Sequence, residues 1–341
     1  MFGYQMSDYD RRVYEEQLAP FLPDEMVDCH THIWREEFDP ISTKGCVSWT
    51  QMVARDCEIE DLLQTYRDMF PGKTVTPVLM GWPMADLPKT NAYTAKCAAE
   101  YRLPALYCTD YSMTAAHLEE AVKKGGFMGL KPYLNNSPAY IPANEVRIYD
   151  FLPPEHLAVA DKHGWIVMLH ISRPARLRDP VNIAQLMEIE EKYPNLKLIV
   201  AHVGRAYSKE DLGDAFETLK HTKRMLFDFT ANTLDLAMEE CLRAVGPKRL
   251  MFGSDLPIVK MRMFRTTENG FYINHVPRGL YGDVSSDPHM RETDRIDVTS
   301  FMYEELLAFR RCAEKLALTK DDVADIMGRN AARLFGISSV K

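Results

Sequence analysis

The chain has no apolar stretch long enough to cross a membrane, no glycine-rich nucleotide loop and no cysteines spaced C-x-x-C. The first absence leaves no membrane-spanning helix to expect. The second removes support for nucleotide-dependent chemistry, since neither a P-loop nor a G-x-G-x-x-G following a strand is present. Positive charge is also in short supply: 41 Lys and Arg stand against 49 Asp and Glu, for a formal net charge of -8 and a pI near 5.7. Long-range attraction to nucleic acid or anionic membranes is therefore not expected, and small molecules are the expected partners. The seven cysteines, at 29, 46, 57, 97, 108, 241 and 312, are odd in number and scattered. The N-terminus lacks a basic stretch followed by an apolar core and a cleavage site. Together these fit a reducing cytoplasm.

What is present is ordinary for a globular protein: 341 residues, 46% apolar and 26% charged. That is enough for one large core without a disulfide or metal clip. No internal repeat or low-complexity linker divides the chain.

Eight short apolar runs recur along it: 26–29, 75–80, 105–108, 127–130, 166–169, 196–201, 225–229 and 250–252. They rarely alternate strictly, as expected of strands buried on both faces. Between them lie stretches of helical periodicity, at 59–70, 115–124, 154–163, 183–193, 209–220 and 234–245, long enough for right-handed crossovers. Eight such units predict a closed (β/α)8 TIM-type barrel; an open doubly wound sheet would show the same local alternation. Residues 1–24 read as a helical brace, with a helix over 8–18 lying across the bottom of the barrel and ended by Pro20 and Pro23. The barrel is expected to fill 25–341, with helices at 301–317 and 321–335 covering it. Two long loops, 33–55 after the first strand and 256–298 after the eighth, are expected to wall the pocket or to make oligomer contacts such as a homodimer's. The phrase Thr266-Thr-Glu-Asn-Gly270 within the second has no assigned role.

Several metal-compatible side chains stand at the ends of these runs. His30 and His32, two apart on a strand, share a face about 7 Å apart along the backbone and can converge on one ion, although an H-x-H pair can also simply pack. Asp28 shares their parity and reads as a brace for them. His170 closes the fifth run and is read as a ligand, with a satisfied core histidine as the alternative. His202 precedes Val203-Gly204, where glycine permits a tight turn, and is open to ligation or acid–base chemistry. Asp255, after Gly253-Ser254, can ligate a cation and accept a proton, or cap a helix begun by Pro257. Arg173 and Arg205 follow two of these strands and offer forked donors to a substrate carboxylate, or form structural ion pairs. Trp34, Tyr133 and Phe229 could form an apolar wall, while Asn135 and Asn232 are weaker candidates.

Taken together, Asp28-Cys-His30-Thr-His32, Gly129-Leu-Lys131, His170, His202-Val-Gly204, Gly253-Ser-Asp255 and Met327-Gly-Arg-Asn330 resemble the amidohydrolase superfamily over nearly the whole chain. The likeness is to the mononuclear branch that includes aminocarboxymuconate semialdehyde decarboxylase and related lactonases. The resemblance implies one divalent ion, zinc by default with manganese as the alternative, on His30, His32, His170 and Asp255, with His202 beside it to polarise or protonate substrate. In binuclear branches a strand-four lysine is carbamylated to bridge two ions; Gly-x-Lys here implies a free Lys131 ammonium facing or bracing the pocket. The expected chemistry is hydrolysis of a small carboxylated lactone, ester or amide, with Asp255 taking a proton from a metal-activated water. The alternative is decarboxylation of a small unsaturated or aromatic acid on the same constellation.

Overall fold

The computed structural model describes residues 5–38 and 53–338. Eight parallel strands pair in sequence order: β1 (Glu25–His32), β2 (Thr74–Met80), β3 (Ala105–Thr109), β4 (Gly129–Pro132), β5 (Ile166–Leu169), β6 (Lys197–Val200), β7 (Leu226–Asp228) and β8 (Leu250–Met251). Strand β8 is too short to form a ladder with β1. The seam is instead joined by Cys29 N–H to Phe252 O at 3.0 Å, Asp255 N–H to His30 O at 2.8 Å and His32 N–H to Leu256 O at 2.7 Å. The result is the expected α/β barrel, and the seam bonds set Asp255 directly beside His30.

Alternate residues of the strands fill the inside of the barrel. Val27, Cys29, Val78, Met80, Leu106, Met168, Ile199 and Met251 form one buried cluster, joined by Ala331, Ala332 and Phe335 of the C-terminal helix. The other face of each strand packs on the surrounding helices in a larger apolar layer. Lateral approach is tight in places: a Cβ on Gly129 would lie 1.8 Å from the Ile166 carbonyl oxygen, so only glycine lets β4 and β5 meet there.

The helices fall close to their expected places, at Ile59–Met69, Ala115–Gly125, Pro154–His163, Pro180–Lys192 and Asp235–Val245. A further helix, Leu87–Tyr101, starts at an Asp86 cap with proline in its first turn. The stretch expected as one helix over 209–220 is broken into Lys209–Leu212 and Ala215–Leu219, because Gly213 takes φ 55°, ψ -136°.

Two expectations need correction. The N-terminal helical segment does not lie across the bottom of the barrel but runs along its wall. Asp10, fully buried, accepts from Arg262 and from Thr299 Oγ1 (2.7 Å), the two stems of the segment after β8, and Tyr14 stacks on Tyr303 of the helix Phe301–Lys315. The segment after β8 is not an irregular loop. It folds into a three-stranded sheet, β9 (Phe264–Glu268), β10 (Phe271–Pro277) and β11 (Met290–Thr293), with β9 and β10 antiparallel. Their turn is Asn269-Gly270, at φ 50° and 82°, the two-residue connection in which both residues take positive φ. The unassigned phrase 266–270 is thus a strand and its hairpin turn. Most of the loop expected over 33–55 lies outside the described residues.

Candidate metal centre

Strand β1 carries an extra residue. Asp28 pairs with Pro77 and Thr31 with Leu79, so three steps on β1 match two on β2. A bulge of this kind reverses the alternation of faces. His30 and His32 therefore turn into the barrel mouth, whereas Asp28 points outward, accepting from Tyr66 Oη (2.8 Å) on the helix Ile59–Met69. The shared parity read from sequence is broken at this point. Asp28 still braces the site through the backbone, its Oδ1 accepting from Ser254 N (2.9 Å) and His30 N (3.2 Å).

The imidazoles are oriented by acceptors behind them. His32 Nδ1 faces the Gly81 carbonyl at 2.9 Å, His202 Nδ1 the Thr230 carbonyl at 3.0 Å, and His30 Nδ1 lies 3.2 Å from Asp228 Oδ2. With these acceptors Nδ1 carries the proton and each Nε2 presents a lone pair. The His32 lone pair lies 3.3 Å from Asp255 Oδ1, and that of His30 lies 3.6 Å from the same oxygen and 2.8 Å from Lys131 Nζ. The Lys131 ammonium meets the His30 lone pair, but that of His32 faces the Asp255 carboxylate, a repulsion that a bound cation would relieve, and nitrogens with acceptor-bound backs are the usual surroundings of a metal. Ligand atoms of His30, His32 and Asp255 lie within 4.8 Å of one another, as do those of His30, His202 and Asp228. The donor set fits a divalent ion.

His170 stands at the edge of this cluster, its ring 5.0 Å from that of His202. Its Nδ1 is buried without a hydrogen-bond partner among the described residues. Burial and the nearby Arg205 hold His170 well below the usual imidazole range, and burial with Lys131 nearby brings His30 down to about 3, so both are neutral, as ligands must be. Burial works to raise Asp255, but His32, His30 and His202 hold it below the ordinary carboxylate range. Lys131, 1% exposed, is lowered by burial and opposed by Asp255 and Asp228.

Asp228 was not singled out in the sequence, yet it organises the site. Burial pushes it up, but His30 and neighbouring hydrogen bonds hold it down to about 2. Besides facing His30, it accepts from His202 N at 2.7 Å and Thr230 N at 3.2 Å. Those bonds hold a rare backbone: His202, Val203, Gly204 and Arg205 take φ of 59°, 47°, 62° and 59°, a single left-handed turn. Each non-glycine residue there costs about 1–2 kcal/mol. Asn232 closes the other end, its Nδ2 donating to the Ala206 carbonyl at 2.9 Å. The available signal was one acidic residue inside an otherwise apolar strand. Gly253 has a packing role: a Cβ there would meet Thr230 Oγ1 at 2.3 Å and His30 Cβ at 2.7 Å.

The expected substrate contacts divide. Arg205 Nη1 donates to the Ser172 carbonyl at 3.0 Å, which holds the guanidinium at the mouth. Arg173 is committed elsewhere, with Nε 3.1 Å from Asp179 Oδ2 and Nη1 on the Glu145 carbonyl. Lys131 lies among the metal-compatible groups. Tyr133 lies beside His170, with ring centroids 5.0 Å apart and the planes tilted by 53°. Trp34 packs against Trp82, itself 6.3 Å from His32. Phe229 faces the other way, stacked on Phe309 in the outer layer, so it fills the core and does not wall the pocket.

The family model described as Amidohydrolase (Amidohydro_2) matches residues 27–337. No curated protein matches the chain. Among solved structures it is similar to a dihydroxybenzoic acid decarboxylase from Polaromonas with bound manganese and 2-nitroresorcinol, at 14% identity and TM-score 0.57, covering 92% of this chain and 98% of that one. It is similar to a Burkholderia multivorans amidohydrolase with bound zinc, at 13% identity and TM-score 0.59, covering 91% and 99%. It is also similar to a probable 2-pyrone-4,6-dicarboxylic acid hydrolase from Acinetobacter baumannii with citric acid bound, at 15% identity and TM-score 0.58, covering 92% and 99%. At these identities the likeness is one of fold.

Proposed function

The chain belongs to the amidohydrolase family and is a metal-dependent enzyme; from that premise we propose that it decarboxylates a small aromatic or conjugated carboxylic acid without oxidation. The observation that carries the metal-dependent part is the gathering of ligand atoms of His30, His32 and Asp255 within 4.8 Å of one another. His30, His32, His170 and Asp255 would hold one divalent ion, zinc or manganese. Bound there, the ion would supply a Lewis acid that anchors the substrate carboxylate and a neighbouring oxygen.

What turns the reading from hydrolysis toward decarboxylation is the wall of the mouth. Tyr133 stands beside His170, Trp82 beside His32 and Tyr207 beside His202. A slot with aromatic side chains beside three of its histidines favours a planar, conjugated ring. The decarboxylase of dihydroxybenzoic acid among the similar structures supports the same reading.

The residues would then act as follows. Arg205 faces the anionic substrate, and the aromatic side chains exclude water from the carbon that loses its carboxyl group. The bond to the carboxyl carbon would break, carbon dioxide would leave, and the electron pair remaining on the ring carbon would take a proton that Asp255 first accepts from a water molecule and then hands on. The hydroxide left behind would be neutralised by a proton from solvent, with the His202 Nε2 lone pair positioned to accept a hydrogen bond from that water. Hydrolysis of a carboxylated lactone is the second reading. It is favoured by the placement of Asp255, whose carboxylate sits among the imidazoles where it could take a proton from water, and by the probable pyrone dicarboxylate hydrolase among the similar structures.

The test is a panel of hydroxybenzoates and carboxylated lactones given to metal-loaded protein, with carbon dioxide and acid release followed separately, before and after chelation. Chelation-sensitive carbon dioxide release is expected. Acid release from lactones alone would replace this reading with the hydrolytic one.

A further inference from the structure

Thr230 and Ala231 share a peptide group that is held from both sides. Its carbonyl, on Thr230, accepts from His202 Nδ1 at 3.0 Å. Its N–H, on Ala231, donates to Glu305 Oε2 at 2.9 Å. The peptide is trans, so N–H and C=O point in opposite directions, and the two bonds run as one chain from carboxyl through peptide to imidazole. Glu305 comes from the helix Phe301–Lys315 outside the barrel and is fully enclosed.

The turn carrying this peptide is not one the chain takes unaided. Ala231 has φ 51°, a left-handed conformation that a residue with a Cβ keeps only where its surroundings over-determine it. Four bonds do so. Besides the one from Ala231 to Glu305, Arg265 Nη1 donates to the Ala231 carbonyl at 3.1 Å, Thr230 N to Asp228 Oδ1 at 3.2 Å, and Asn232 N to the Phe229 carbonyl at 3.1 Å. Of the four, only the Glu305 bond falls on the peptide group that faces His202.

Packing alone gives no reason for a carboxyl at this position. One turn to either side on the same helix stand Phe301 and Phe309, both buried. Oε1 of Glu305 is enclosed with no hydrogen-bond partner among the described residues, which costs stability. An apolar side chain would suit the layer but would leave the Ala231 N–H without its acceptor.

Hydrogen bonds in a chain polarise one another, by about 10–30% per bond. An acceptor on the Ala231 N–H moves electron density toward the Thr230 oxygen, which then holds the His202 Nδ1 proton more firmly. The tautomer and ring plane are fixed, and Nε2 becomes more basic, as it does in histidines backed directly by a carboxylate. The link needs an oxygen at the Oε2 position, whatever the charge on the carboxyl.

We propose that Glu305 is a positioning residue for His202, acting through the Thr230–Ala231 peptide to hold the Nδ1 proton and aim the Nε2 lone pair into the mouth. This rests on the proposed function for what His202 does beside the substrate, but not for the link itself.

The test is NMR of the His202 Nδ1 proton in the full chain carrying isotope-labelled histidine, zinc-loaded and again free of metal, with the signal assigned by its loss in His202→Asn. The wild type should show a proton far downfield that exchanges slowly with solvent. Glu305→Leu should speed that exchange by about 10-fold or more, the scale of one lost hydrogen bond. Glu305→Asp, too short to reach the Ala231 N–H, should do the same if the leucine variant does not fold. Glu305→Gln keeps an oxygen in place and should stay within about threefold of the wild type. Leu306→Ala, at a buried neighbour on the same helix, should lower the melting temperature and leave the exchange within about threefold. Wild-type exchange in Glu305→Leu or Glu305→Asp, equal loss in Glu305→Gln, or the same loss in Leu306→Ala would overturn the proposal. Because the imidazole is read without turnover, Glu305-dependent exchange in a chain that releases no carbon dioxide would reject decarboxylation and leave this link standing. Carbon dioxide release with a His202 signal indifferent to Glu305 would do the opposite.

Discussion

The inside of the barrel and its mouth are built from the same eight strands and follow opposite rules. Inside, Val27, Val78, Met168, Ile199 and Met251 close-pack with no polar group to satisfy. At the mouth, a few residues further along the same strands, His30, His32, Lys131, Asp228 and Asp255 are nearly as enclosed, and the backbone from His202 to Arg205 runs left-handed. The inner cluster stabilises the fold through burial. The mouth gives up stability for the placement of lone pairs and charges, the trade-off expected where a site is preorganised.

That contrast can be broken most severely at the residues proposed to hold the metal. His32→Ala is expected to lose bound metal and reduce turnover to background while the melting temperature of the metal-free protein stays within a few degrees of wild type. Elemental analysis with thermal melting would check this, and retained metal would remove His32 from the site. Asp255→Asn should lower kcat by about 10²- to 10⁴-fold while keeping at least part of the metal. Near-normal turnover in the loaded variant would contradict the role given to Asp255.

Asp228→Asn tests whether the support behind the histidines matters as much as the ligands. It should weaken metal affinity or activity by about 10- to 100-fold, read by competition with a chelator. Met168→Ala should do the reverse, costing about 2–5 kcal/mol in denaturant unfolding with metal content unchanged. A core variant that lost its metal without losing stability would dissolve the distinction.

The smallest effect concerns pH. Burial pushes Asp28 up to about 7 from an ordinary 3.8. Between those values the native chain holds a proton that the unfolded chain has released, so this group's contribution to stability falls as pH rises from about 4 to about 7. Asp28→Asn should remove that part of the slope in melting temperature against pH, measured on metal-free protein. An unchanged slope would show that Asp28 is ionised in the fold.

Much of this was legible in the sequence because burial on both faces leaves continuous apolar runs, and all eight became strands. The histidines and Asp255 could be found because polar residues that end such runs have few structural reasons to be there. What escaped detection depends on local backbone geometry. The β1 bulge turns Asp28 away from His30, although the intervals between them look regular. Asp228 sits inside an apolar run, and its importance comes from three partners at distant positions. The Asn269-Gly270 turn could have been recognised as a hairpin signal, but the alternation around it is weak because β9 is partly exposed.

The most direct test of the central claim is metal content per chain in protein purified without added metal, set beside the same measurement on His32→Ala. The account predicts about one divalent ion per wild-type chain, essentially none in the variant, and activity that disappears on chelation and returns with zinc or manganese. A wild-type chain that takes up no ion when either metal is supplied, or a variant that binds as much as the wild type, would contradict it.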